Sequence, residues 1–266
     1  MNKIYPFILL LVLSYPAFCQ VNYGPRIASL ANAGVALQDV WCAQNNQAGL
    51  AKIERPQISM AYESRFGVKE LSTKSAVFAL PFKSYVISAS FTSYGVESYA
   101  ETKTGLSLAK KFGDNLHLAV NANYHQINIT NYGNRSTFSV EAGIQYEVTP
   151  NLWLASHIAN PNQSKYGKNT DQIIPPHIRF GANYIFSKQL MICTEIEKIL
   201  DGNTDFKTGI EYKIVDFLSL RGGISVNTFK QYAGFGLNYQ KIAFDFAVSS
   251  HPVLGYSPQI SLSYEF

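Results

Sequence analysis

Few residues in this chain have the types and spacing that chemistry needs, and they are scattered. The five histidines, His117, His125, His157, His177 and His251, fall on separate segments. A hydrolase needs a nucleophile within reach of a base that is itself oriented. Ser156-His157 and Ser250-His251 are sequence neighbours, so on a strand their side chains point to opposite faces. Glu195 and Glu197 share a strand face at i, i+2, but a metal site needs further clustered ligands, and a solvated interior face accounts for the pair. The acidic loop at 201–205 and Asp171 lack the full oxygen set of a calcium loop. Gly133-Asn134 and Gly202-Asn203 are turn chemistry, and no phosphate-binding or dinucleotide fingerprint is present. The expectation is a protein without catalytic residues, cofactor or metal, and so not an enzyme.

What the residues do specify is architecture. From Gln57 onward the chain alternates with period 2, the mark of a two-faced strand. Ile242, Phe244, Phe246 and Val248 oppose Ala243, Asp245 and Ala247; Ile260, Leu262, Tyr264 and Phe266 oppose Gln259, Ser261, Ser263 and Glu265. Strands are expected at 57–66, 73–80, 84–94, 103–112, 115–129, 136–148, 152–160, 176–187, 189–197, 204–214, 217–227, 231–239, 241–249 and 257–266. That is fourteen, the even number a single-chain bacterial barrel needs. Connections after even strands are tight and those after odd strands mostly longer, which places the former in the periplasm and the latter outside the cell.

Composition agrees. Aromatic residues make up 14% and charged residues only 15%, with 17 Tyr and 17 Phe, and no run of about eighteen apolar residues follows the leader. The net charge of +4 comes without any long basic run, so nucleic acid is not an expected partner. Lys3, the apolar run 7–13, Pro16, and the small residues Ala17 and Cys19 form a secretory signal peptide over residues 1–19. The terminal strand, ending in Phe266, resembles the recognition signal for barrel insertion. The expected location is the outer membrane, with lipid around a multi-pass antiparallel transmembrane β-barrel.

If the apolar face meets lipid, the opposite face lines the lumen. It carries Glu141, Arg179, Glu195, Glu197, Glu211, Arg221 and Asp245, a mixture of signs suited to cross-strand ion pairs rather than to a pore selective for one charge. Tyr94, Tyr99, Tyr132, Arg135, Tyr166, Phe229 and Tyr256 fall near the extracellular ends and are candidates for a protein-binding rim.

Residues 20–56 do not read as β. The core of this segment, 24–51, is rich in Ala and Gly and apolar, and is expected to contain short helices and plug the lumen of residues 57–266. A barrel of fourteen strands is too wide for wall side chains alone to fill. Gly34 and Gly49 are expected to supply tight turns, and Arg26 and Asp39 to pair with the wall. Cys42 and Cys193 either join plug to wall as a disulfide, the compartment being oxidising, or remain independent thiols.

The segment Gly24, Arg26, Gly34, Val35, Ala36 and Asp39, followed by Asn46-Gln47-Ala48-Gly49-Leu50-Ala51, resembles the N-terminal segment of the PorV/PorQ group, which is related to FadL-type transporters. Gln47 stands where that group usually has Pro, which loosens a turn. The resemblance implies a fourteen-stranded barrel with an N-terminal hatch. It also implies a role in type IX secretion of Bacteroidetes, with translocon components or secreted cargo proteins as partners. The alternative it carries is FadL-like transport of hydrophobic small molecules, and a porin-like or structural barrel is the third reading. The compact loops, and the polar 161–175 stretch, favour the secretion role over a hydrophobic capture groove.

Overall fold

A computed structural model of the protein describes residues 23–167, 173–227 and 229–266. The signal peptide, Asp171 and the first residues of the expected plug segment lie outside them. Fourteen strands form the wall: β1 Gln57–Ser64, β2 Ser72–Phe82, β3 Tyr85–Val96, β4 Tyr99–Phe112, β5 Leu116–Ile129, β6 Gly133–Thr149, β7 Leu152–Ala159, β8 His177–Ile185, β9 Leu190–Ile199, β10 Thr204–Val215, β11 Leu218–Ser225, β12 Lys230–Tyr239, β13 Ile242–His251 and β14 Gly255–Glu265. Each pairs antiparallel with its sequence neighbours, and β1 pairs with β14, from Gln57 opposite Glu265 to Glu63 opposite Gln259, to close the barrel.

Closure follows from the two-faced strands. Outward positions carry exposed apolar side chains, such as Leu106 at 63%, Phe138 at 67% and Leu262 at 59%. In water that much exposed apolar surface would be costly; in a bilayer it meets hydrocarbon, and closure leaves no strand edge unpaired there. No described helix is long and apolar enough to span a membrane.

The expected strands all form, with shifted ends. The largest shift is β4, which begins at Tyr99 rather than 103, because β3 and β4 stay paired from Tyr85 opposite Lys110 to Val96 opposite Tyr99. The expected loops 95–102 and 130–135 therefore shrink to tight turns. Strands β3 to β6 rise beyond β7 and β8, and the long connection between β7 and β8 runs beside them, with Ser164 donating to the Phe138 carbonyl. Ladder irregularities occur between Glu147 and Thr149 and between Lys213 and Val215, both at the periplasmic end.

Inside the wall lies the N-terminal segment. Its one α-helix, α1, spans Pro25–Ser29, with Pro in the first turn where no N–H is needed. Two 3-10 turns follow at Val40–Gln44 and Gln47–Lys52, begun by Asp39, which accepts from Trp41 N, and by Asn46, which accepts from Ala48 N. Ile27, Leu30, Leu37, Trp41 and Leu50 are fully enclosed and form the hydrophobic core with Val77, Ala79 and Ala109 of the wall.

Candidate functional site

The chemistry of this molecule is concentrated where plug meets wall. At the periplasmic end, Arg26 makes an ion pair with Asp39 within the plug at 3.0 Å and a two-pronged contact with Glu211 of β10, both hydrogen bonds being 3.1 Å. Glu211 also accepts from Arg221 of β11, which donates to Asp245 of β13 at 2.6 Å. Charge alternates along this chain, so every buried ion has an opposite neighbour. Glu211 holds the Arg26 guanidinium well above its ordinary pKa, while burial pushes the Asp39 carboxyl up against the pull of Arg26. Arg26 thus reaches the wall; among the described residues Asp39 ion-pairs with Arg26 alone and caps its own turn.

A second clamp sits mid-barrel on Glu141 of β6. It accepts from Gln47 of the plug at 2.7 Å, and from Lys103 at 2.9 Å and Asn123 at 2.7 Å on the wall. Gln47 therefore does not loosen the turn: its amide ties the plug to the wall, a bond proline cannot make. The third clamp is Arg179 of β8, which donates to the Asn45 side chain and, at 2.9 Å, to the Asn45 carbonyl. Beside it, Glu195 of β9 accepts from Val35 N at 2.9 Å, and Lys207 pairs with Glu195 and Glu197. Gln145 of β6 donates to the Val35 and Leu37 carbonyls, each at 2.9 Å.

The wall makes room for this close fit. A Cβ on Gly209 would strike Leu30, one on Gly223 would strike Leu30 and Ala31, and one on Gly234 would strike Ser29. In the plug, Gly24 has a φ of +81° and lies against the Trp41 ring. Gly34 and Gly49 both sit in tight turns, Leu37 N donating to the Gly34 carbonyl and Gly49 N to the Asn46 carbonyl at 3.0 Å each, without a positive φ. Their role is close approach, Gly34 against Ile27 and Asn45, and Gly49 against the Leu37 carbonyl and Cys42. Ala48 and Leu50 are wholly buried between these contacts.

Cys42 and Cys193 are both free and buried. The Cys42 thiol donates to the Leu37 carbonyl at 3.1 Å and that of Cys193 to the Gly209 carbonyl at 3.6 Å, so the disulfide alternative is not realised. Burial raises the Cys42 thiol pKa well above its ordinary value.

The fold brings together pairs that spacing does not reveal: His157 Nδ1 lies 2.8 Å from Arg179, and His125 Nε2 and Ser139 Oγ are 2.8 Å apart on β5 and β6. All four are buried, and the neighbouring Glu141 is committed to the plug clamp. Among the described residues no three of His, Cys, Asp and Glu converge as metal ligands.

The rim candidates do not form one patch. Tyr94 lies in the mouth beneath the Arg65 guanidinium, and Tyr99 donates to Glu101. Tyr132, in the turn after β5, is 89% exposed. Arg135 is exposed on the upper part of β6, Tyr166 is half-buried in the long connection, and Phe229 is exposed in the turn before β12. Tyr256, second residue of β14, is exposed and shares its outward face with Ile260 and Leu262.

Two cavities flank the plug. The extracellular one, about 40 Å³, is lined by Tyr23, Asn32, Arg65, Lys230, Tyr232 and His251 among others. The periplasmic one, about 520 Å³, lies over Gln38, Asp39, Lys52 and Arg55. The periplasmic cavity is mainly polar and the extracellular one is mixed, with Tyr23, Phe66 and Tyr232 beside its charged groups, and the plug separates them.

The architecture, a closed antiparallel barrel of fourteen strands, has the fold of solved outer-membrane barrels. The toluene transporter TodX of Pseudomonas putida superposes with a TM-score of 0.71 at 10% identity, covering 92% of this chain and 99% of TodX. A FadL homologue of Pseudomonas aeruginosa superposes with a TM-score of 0.70 at 12% identity, covering 94% of this chain and 99% of the other. The outer-membrane protein Omp33 of Acinetobacter baumannii gives 0.55 at 9% identity, covering 80% and 98%. No protein-family model and no curated protein matches the sequence. Nothing in these likenesses supports the PorV/PorQ group specifically.

Proposed function

We propose that this protein is a passive outer-membrane channel for hydrophobic small molecules, with residues 24–56 as its gate. The observation that carries this reading is the superposition on TodX, which covers 92% of the chain, more than residues 57–266 alone supply. The likeness therefore reaches past the wall into the plug segment. TodX is a toluene transporter, and the second superposed barrel is a FadL homologue. A plug held by three polar clamps suits gated passage. The described conformation is the shut one, since the plug fills the lumen and all fourteen seams are paired. Passage then requires the Arg26, Gln47 and Asn45 contacts to part. Entry of a labelled hydrophobic solute into proteoliposomes tests the proposal, because only a transporter accelerates it over protein-free vesicles.

A second reading is favoured by one observation, the mainly polar lining of the periplasmic cavity beside an unbroken wall. A barrel that stays shut would act through its rim, by holding translocon components or secreted proteins as in type IX secretion. Gentle-detergent pull-down with mass spectrometry separates the two. Recovery of such proteins favours the second reading, and recovery of the barrel with bound hydrophobe favours the first.

A further inference from the structure

The outer wall of the barrel carries a cluster that the plug and the lumen do not use. Register places Phe82 of β2, Tyr85 of β3 and Lys110 of β4 side by side at the periplasmic ends of their strands. All three point outward. Phe82 is 55% exposed, and Phe112, the next outward residue on β4, is 45% exposed. The Lys110 ammonium donates to Tyr85 Oη at 3.1 Å, and lies 4.5 Å from the Tyr85 ring centre and 5.0 Å from that of Phe112. Lys83, in the tight turn between β2 and β3, holds a φ of +56° and places its ammonium 5.5 Å from the Phe82 ring centre. Stacking on aromatic faces holds both cations at the membrane surface.

Neither cation has a protein anion among the described residues. Lys83 and Lys110 form no ion pair with a described carboxylate, and Asp114 in the next turn pairs with neither. Cations at the same end near the plug are treated differently, with Lys52 bound to Glu147 at 3.1 Å and Arg55 to Glu265 at 3.2 Å. One step deeper into the bilayer, the same three strands present Leu80, Ile87 and Leu108, all apolar and outward. The cluster is thus a pair of uncompensated ammonium groups in an aromatic frame, directly below a strip of hydrocarbon-facing wall.

We propose that Lys83 and Lys110 bind the phosphate of an anionic phospholipid in the periplasmic leaflet, with its acyl chain along Leu80, Ile87 and Leu108. The phosphate supplies the missing anion. The Tyr85 hydroxyl, already accepting from Lys110, donates its own proton to a phosphate oxygen. The apolar strip makes a lipid, rather than free phosphate, the occupant. Basic groups near an anionic leaflet contribute about fivefold each in affinity, so the pair should favour an anionic over a zwitterionic lipid by more than tenfold. The site is independent of what passes through the barrel.

The test is native mass spectrometry of the purified protein released from nanodiscs of phosphatidylcholine containing phosphatidylglycerol. Wild type should retain phosphatidylglycerol selectively. The double variant Lys83→Ala/Lys110→Ala should lose that selectivity, and heat-dependent gel migration should show it still folded. A control with equal charge change on the same rim, Lys188→Ala/Lys241→Ala, should retain it. Millimolar inorganic phosphate should not displace the lipid. Unchanged retention in the first variant, equal loss in the control, or displacement by inorganic phosphate would each overturn the proposal.

Discussion

Arg26 of the plug grips Glu211 of β10 through two parallel hydrogen bonds of 3.1 Å, the fork geometry in which guanidinium and carboxylate match best. The same arginine holds Asp39, so one side chain closes the plug on itself and fastens it to the wall. Arg26→Ala leaves Asp39 without its cation and Glu211 with Arg221 alone. The expected loss is about 2 kcal/mol, below the roughly 3–5 kcal/mol of a fully buried pair, because the Arg26 side chain keeps 24% of its exposure. Urea unfolding measures it. Adding Glu211→Ala should recover part of the loss, as coupled neighbours do, and simple additivity would show that the two do not act as a pair.

The plug lies against glycines of the wall, and that contact is testable from the wall side. Gly223→Val puts a branched side chain where Leu30 and Ala31 sit. Overpacking costs about 1–3 kcal/mol, and the plug is the only side of the contact free to yield. The barrel should still insert and show heat-dependent migration, while residues 24–51 become protease-sensitive. Protection equal to wild type would mean that the plug is not seated there.

Both thiols should be silent in the folded protein. Cys42 and Cys193 are enclosed, and each already donates to a backbone carbonyl. A maleimide should add to neither under native conditions and to both after unfolding, as intact-mass measurement would show. Rapid labelling of Cys42 alone would reveal a plug that breathes on that timescale.

Removing the plug should open the lumen. With residues 24–50 deleted, the polar wall around Glu141, Arg179 and Glu195 would face water along its length. Planar-bilayer recordings should show steady ion conductance where wild type is closed. Equal conductance in the two proteins would mean that this stretch does not seal the barrel.

The wall was legible in the sequence because period-2 alternation needs only local information. A strand with one lipid face and one lumen face writes its fold into neighbouring residues, as in Ile242 to Val248. Strand ends were less legible, since the height of β3 to β6 depends on pairing with the next strand, not on the residues of a single strand. The inward placement of Glu141, Arg179, Glu211 and Asp245 followed from the same alternation. Their partners did not, because Gln47 with Glu141 and Asn45 with Arg179 are contacts between distant parts of the chain. Gln47 looked like a missing proline and is in fact a tether. The glycines at 209, 223 and 234 carried a usable signal: three lumen-facing strand positions without a side chain imply another backbone lying against them.

The account stands on movement of hydrophobic molecules through this barrel, and proteoliposome entry measures that directly. Purified protein in vesicles loaded with serum albumin as an internal sink should take up a radiolabelled long-chain fatty acid or monoaromatic hydrocarbon faster than protein-free vesicles. The 24–50 deletion should be at least as fast. Uptake equal to protein-free vesicles, by wild type shown to be folded and by the deletion alike, would contradict the transport function.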